Sequence, residues 1–345
     1  MSKAGAAGRV LLFALLAPLA ACGPAPGARA PSEAEVLPAK GPLANATVKR
    51  LLLVDAARAG QRIVAVGDQG WIVLSDDDGA SWRRATAPEG PLLTAVDFVD
   101  AQHGWAVGHD ENILATSDGG ETWTKQFSLP SAPGPLLDVL FLDARHGIAV
   151  GAYGAYYETA DGGRTWAARK IIPEDRHLNA IVRLLPSASP GAQTVPPRLL
   201  IVGEAGTLLL STDGGAHWTS EASPYKGSLF GAVVAADGSV IAFGLRGKIF
   251  RSGDGGHTWA AVDDASHATL MGGTRLPGGE IVLAGAAGTV LASRDQGRTF
   301  APVASSESAR LYSSALEGPR GEILVFGEAG AHALPLPRTP PAAAR

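Results

Sequence analysis

The chain has 345 residues, 29 basic against 33 acidic, and a formal net charge of −4. That near balance gives no reason to expect a nucleic-acid partner. A single cysteine, Cys22, excludes an intramolecular disulfide, and 46% apolar residues are enough to bury one sizeable core.

Lys3 and Arg9 form a positive leader ahead of Val10–Ala17 (VLLFALLA), an apolar run too short to span a bilayer. Leu19-Ala20-Ala21-Cys22 then matches a bacterial lipobox. Residues 1–21 are therefore expected to be a lipoprotein signal peptide and Cys22 the lipidated N-terminus. An ordinary secretory signal cleaved near Ala21 is the alternative. Gly23, not Asp, follows the cysteine; by analogy with known lipoproteins this favours the outer membrane of a Gram-negative host over retention at the inner one. The expected location is the periplasm-facing cell envelope. Residues 22–46, rich in Pro, Ala and Gly, read as a lipidated flexible tether.

From residue 47 one signature dominates, Ser/Thr-x-Asp-x-Gly-x-Thr/Ser-Trp. Its first copy runs from Ser75 to Trp82 around Asp77. The Asp and aromatic positions recur as Asp118 and Trp123, Asp161 and Trp166, Asp213 and Trp218, Asp254 and Trp259, and Asp295 and Phe300. Ahead of each lies a turn opened by a glycine, Gly-x-x-Gly in all but the second copy. The first glycines, from Gly67 to Gly327, are spaced by 41, 43, 52, 41, 41 and 42 residues. Short apolar runs punctuated at this period predict an all-β fold, a seven-bladed β-propeller of four-stranded antiparallel blades over residues 47–336. In the second unit the strands are read at 92–100, 105–108, 113–116 and 123–126.

Each signature Asp is expected to fix a turn by accepting backbone N–H groups two or three residues on. The following Gly allows positive φ, and the Trp anchors the turn between strands. Six copies around a ring cannot share one active site, so these residues read as structural. Pro186–Arg198 accounts for the long spacing and reads as a surface loop within the fourth blade. The seventh unit has three apolar runs and then a Pro-rich tail, 337–345, expected to be disordered. Its missing outer strand is expected from the end of the tether, within Glu33–Lys40, which would protect an otherwise unpaired edge.

The unit resembles the Asp-box, or BNR, repeat. Sialidases share it, but Arg-Ile-Pro is missing and Arg62-Ile63-Val64 is the nearest approach. Tyr153, Tyr156 and Tyr157 with Glu158 read as the aromatic face of a strand. Xyloglucan-type endoglucanases need two propellers. Gly104–Gly108 and Gly147–Gly151, each after an Asp-x-x-His-Gly turn, together with the lipobox and the single domain, are similar to the photosystem II stability/assembly factor family and its relatives in bacteria without photosynthesis.

That resemblance implies a non-enzymatic scaffold, with no cofactor, which binds an integral membrane protein subunit through an arginine patch. In a non-photosynthetic host the client would be another envelope complex. The candidates here are Arg83 and Arg84 beside the first signature, Arg183 and Arg198 in the fourth blade, and Arg246, Arg251 and Arg275 beyond. Arg246 occupies the Gly-x-x-Gly turn where siblings carry Gln69, Asp110, Tyr153, Ala205, Ala287 and Ala329, so these residues are expected to ring one rim. The histidines lack metal-ligand spacing, and no nucleophile elbow or phosphate loop occurs. A monomer is expected. The alternative is a glycan-binding or sialidase-like glycoside-hydrolase propeller. Its mark would be two carboxylates or three arginines at the central mouth.

Overall fold

The second strand of each unit, as in Gly104–Gly108 (GWAVG) or Leu199–Gly203 (LLIVG), is apolar throughout because both of its faces are covered. In the computed structural model, which describes residues 41–131, 134–184, 196–263, 266–303 and 310–336, all five residues of these strands are buried. Outermost strands such as Ala167–Ala168 and Thr219–Ser220 are exposed and short. This inside-to-outside gradient is what blades stacked around an axis produce.

Seven antiparallel sheets follow in chain order. The innermost strands are Leu53–Ala59, Leu93–Phe98, Leu136–Phe141, Leu178–Arg183, Leu229–Val234, Leu270–Arg275 and Tyr312–Glu317. The second blade runs 93–98, 104–108, 113–116 and 124–127, within two residues of the sequence reading at each end. Aromatic and aliphatic side chains fill the seams; Trp105 of blade two stacks on Phe141 of blade three at 3.4 Å.

The glycine ending each second strand is there for space. Its φ is near 180°, open to any residue, but a Cβ would lie only 1.9–2.4 Å from the carbonyl oxygen preceding the innermost strand, Leu52 in blade one and Leu311 in blade seven.

The ring closes between blades seven and one. Ser313 Oγ donates to the Leu53 carbonyl at 3.1 Å, and Ser314 Oγ to Asp55 Oδ1 at 2.9 Å. The closing strand expected within Glu33–Lys40 lies outside the described residues. Blade seven has three strands among the described residues, and the segment nearest the tether pairs elsewhere: Pro42–Leu43 lies antiparallel to Trp82–Arg84 as a fifth strand on blade one. The single turn Asn45–Val48 then packs across the joint, with Val48 in one core with Leu324 and Phe326 of blade seven. Gly330, at the start of the third strand of blade seven, Gly330–Leu334, lies against the Val48 carbonyl of that turn. Residues 1–21, Cys22, the tail 337–345 and most of Pro186–Arg198 also lie outside the described residues. The strands flanking that last stretch are the first and second of blade four.

Candidate functional site

Strand alternation puts two different loop sets on the two rims. One rim carries the turns between second and third strands, which bond back to the chain entering the blade: His109 N–H donates to Leu92 O at 2.9 Å and Glu204 N–H to His177 O at 2.9 Å. The other carries the signature turns, which bond to the hairpins between first and second strands, as Gly119 N–H does to Gln102 O at 2.9 Å.

The signature turns are mechanical locks. In blade two Thr116 Oγ1 donates to Asp118 Oδ1 at 2.8 Å and accepts from Gly120 N–H at 3.0 Å. Asp118 also accepts the N–H and the hydroxyl of Thr122, at 2.9 and 2.5 Å. The accepted N–H is thus four residues on, one or two residues farther than the sequence suggested. Asp77, Asp161, Asp213, Asp254 and Asp295 repeat the arrangement, with His217 replacing the hydroxyl at Asp213. These bonds favour the ionised form. The backbone N–H and hydroxyl of Thr165 hold Asp161 down at about 2, and the backbone and ring of His217 do the same for Asp213.

Trp82, Trp123 and Trp259 donate their indole N–H to the turn's own glycine carbonyl. Trp218 turns instead to the Tyr156 hydroxyl, the Trp166 indole nitrogen has no partner among the described residues, and Phe300 has no such donor.

The candidate arginines do not form a patch. Arg83 is clamped by Glu121 at 2.5 and 2.6 Å and by Asp76 at 3.1 Å, and Arg84 lies over the Trp71 ring at 4.2 Å. Arg198 donates to Gly255 O, and Arg251 to Asp237, Ser239 and Gln296 O. Arg183 and Arg275 are exposed, but they end innermost strands at the rim opposite Arg246. Most of these cations stitch turns and blades together; the sequence could not show which already had carboxylate or carbonyl partners.

The turn rim is a ring of outward residues, with one correction. Gln69, Asp110, Tyr153, Ala205, Arg246 and Ala287 are all exposed and all left-handed, with φ between 53° and 60°. Ala329 is not among them. Blade seven makes a tight hairpin there, and Ala329 is buried. A left-handed conformation is unfavourable for side chains other than glycine, so each of these positions is held by its frame and presents its side chain at a fixed angle.

Two groups of acids escaped the sequence reading. Asp55, Asp97 and Asp138 sit on the innermost strands of blades one to three, deep in the axis yet with partial solvent access. Each reaches across a seam: Asp55 Oδ2 accepts from Val96 N–H at 3.0 Å, Asp97 Oδ2 from Phe141 N–H at 2.7 Å and Asp138 Oδ2 from Ile181 N–H at 2.8 Å. Burial pushes Asp55 and Asp97 up to about 6 and Asp138 up to about 8, the nearby carboxylates adding to the rise at Asp97 and Asp138. The signal was an Asp inside an apolar innermost run, as in LLDVLF.

The other is Glu111, which stands where all six sibling units have Gly. It is left-handed at φ 46°, only 5% exposed, and accepts the Tyr157 hydroxyl. Burial raises its pKa, opposed by that bond. Tyr156 and Tyr157 do not share a face. Tyr157 points to Glu111 of blade two, and Tyr156 to Arg169, which stacks on its ring, and to Trp218 of blade four.

Residues 81–133 and 126–282 match the family described as Photosynthesis system II assembly factor YCF48. The chain belongs to that family. The photosystem II stability/assembly factor HCF136 of Cyanidioschyzon merolae is 35% identical over 83 residues, 22% of this chain and 19% of that protein. The photosystem II assembly lipoprotein Ycf48 of Synechococcus is 36% identical over 73 residues, 20% of this chain and 22% of that protein. The chain thus aligns with about a fifth of the length of these curated relatives. Among solved structures, a YCF48 bound to a D1 peptide superposes with a TM-score of 0.64 at 21% identity, covering 84% of this chain and 95% of that one. The Niastella koreensis GH74 enzyme reaches the same score at 16% identity over 83% of this chain and 43% of its own. At these identities the superpositions speak to the fold alone.

Proposed function

We propose that this YCF48-family propeller is a non-enzymatic, lipid-anchored assembly scaffold that binds a polypeptide segment of an integral membrane subunit on its turn rim. The observation that carries the reading is the family match across blades two to five and parts of their neighbours, joined to a rim of six fixed, outward and chemically varied side chains. Varied loops on a rigid frame suit recognition of a protein segment. The D1 peptide held by the solved YCF48 is a client of the expected kind. Cys22 supplies the anchor, the protein faces the periplasm from the outer membrane, and it acts as a monomer. In a photosynthetic host the client is a photosystem II precursor; elsewhere it is another envelope complex. The test is crosslinked co-purification from native membranes, followed by binding of synthetic segments of the subunit recovered. One integral subunit whose segment binds the purified propeller supports the reading. Full anchoring with no membrane subunit recovered overturns it.

A glycoside hydrolase has one observation in its favour: three axial carboxylates with raised pKa, which the sequence did not reveal. Their oxygens already serve the seams. Asp138 accepts two backbone N–H groups and Asp55 an N–H and a hydroxyl, so the arrangement suits blade cohesion better than general acid–base work. Turnover of β-glucan or sialoside substrates, abolished in Asp138→Asn, would reverse that preference.

A further inference from the structure

Where blades two and three meet on the turn rim, a cleft of about 290 Å³ opens between Glu111, the Ala152–Ala155 turn and the connector through Ile172 and Glu174. A water's share of liquid volume is about 30 Å³ and drug-sized sites start near 300 Å³. The cleft therefore fits one long side chain and not a nucleotide cofactor or an oligosaccharide.

Its charges do not cancel. Of its cations, Arg169 is bound to Glu158 at 3.1 Å and to carbonyls of blade four, and Lys170 faces Asp175 at 3.9 Å. Glu111 and Glu174 have no cationic partner among the described residues. For Glu174, exposed at the mouth, that is ordinary. For Glu111 it is not. A carboxylate this buried is normally matched by a positive charge, and Glu111 has only a neutral phenol on one oxygen. The position also asks for glycine, which the six sibling units supply.

Exposed apolar side chains accompany these charges. Leu129, 40% exposed, and Tyr153, 47% exposed, are the large hydrophobics most open to solvent among the described residues. Tyr153 lines this cleft, and Leu129 N–H donates to Asp110 O at 2.8 Å, which pins its backbone beside the Glu111 turn.

We infer that this cleft seats a basic side chain, lysine or arginine, of a bound polypeptide, with its ammonium or guanidinium against Glu111 and its apolar neighbours on Leu129 and Tyr153. The aromatic wall adds the cation–π attraction that such a group finds beside tyrosine. The inference rests on the peptide-binding reading above and narrows it to one stretch of rim and one chemistry.

The probe is a set of fluorescein-labelled pentapeptides with leucine at both ends, alanine beside them, and lysine, arginine, norleucine or glutamate at the centre. Anisotropy should show the lysine and arginine peptides binding at least about tenfold more tightly than the other two. Glu111→Gln keeps the acceptor for Tyr157 and should erase that difference. Glu111→Gly restores the sibling residue, so it should fold with an undiminished melting temperature and also lose the preference. Equal binding of all four peptides, binding of none, or a preference that survives both variants overturns the inference. A membrane-subunit segment captured equally by wild type and Glu111→Gln removes the cleft and leaves the scaffold; capture by neither removes both.

Discussion

The three axial carboxylates make stability depend on pH in an uncommon direction. A carboxyl whose pKa is raised on folding stays protonated in the folded chain after the unfolded chain has released its proton. Its contribution is complete below pH 4 and declines as pH rises through the folded value, about 6 for Asp55 and Asp97 and about 8 for Asp138. One pKa unit corresponds to about 1.4 kcal/mol. Asp97, raised by about two units, accounts for about 3 kcal/mol lost between pH 4 and 7. The three are coupled through their charges, so their losses do not simply add. Between pH 6.5 and 8 Asp138 should dominate, with a slope near 1 kcal/mol per pH unit. Urea unfolding at half-unit steps from pH 5 to 8 measures this directly. Asp138→Asn cannot release the proton, and its slope above pH 6.5 should be close to flat. A wild-type profile already flat over this range, or one that Asp138→Asn leaves unchanged, would show that the carboxyls titrate normally and that the axis is wetter than the geometry implies. On the acid side the signature aspartates work the other way. Their lowered pKa values, about 2 for Asp161 and Asp213, remove stability as pH falls from 4 towards 2. The stability optimum should therefore lie near pH 4 to 5.

Asp118→Ala removes the acceptor for Thr122 N–H and for two hydroxyls, and chemical denaturation should show a loss of about 1–3 kcal/mol. Gly330→Ala should cost about 2 kcal/mol or more, because a Cβ there lies 2.1 Å from Val48 O at φ 73°. Gly279→Ala, with a similar backbone but nothing within 4 Å, should cost only the backbone share, a difference that thermal melts resolve. Cys22→Ala should move the protein from the membrane to the soluble fraction, and retention of the variant would remove the lipid anchor from the reading.

The blade count and strand order were legible because each unit repeats two steric demands, the glycine that must clear a carbonyl and the Asp–Gly turn that must lock. The repeat speaks only for what blades share, and the site lies in what they do not. Arg83 and Arg246 look alike in sequence, yet one is clamped by two carboxylates and the other is exposed, because partners come from neighbouring blades. The pairing of Pro42–Leu43 with blade one was not legible for the same reason: those two residues carry no pattern that prefers one blade to another. Glu111 was in principle readable as the one break in an otherwise regular Gly-x-x-Gly series. Asp55, Asp97 and Asp138 were readable as acids inside apolar strands. In both cases the deviation from the repeat, rather than the repeat, marks a particular place.

The turn at Asn45–Val48 rests on Gly330, so the joint that seals the ring unites some of the first residues of the domain with nearly the last. During synthesis every other blade can form from chain already made, each against its predecessor. This joint has to wait for the final hairpin. Until then blade one presents an unfinished edge, and Leu53, Ile63 and Trp82 lack the wall that Leu324 and Phe326 later provide. The nascent protein is thus exposed to mispairing longest at the place where two copies could most easily exchange ends.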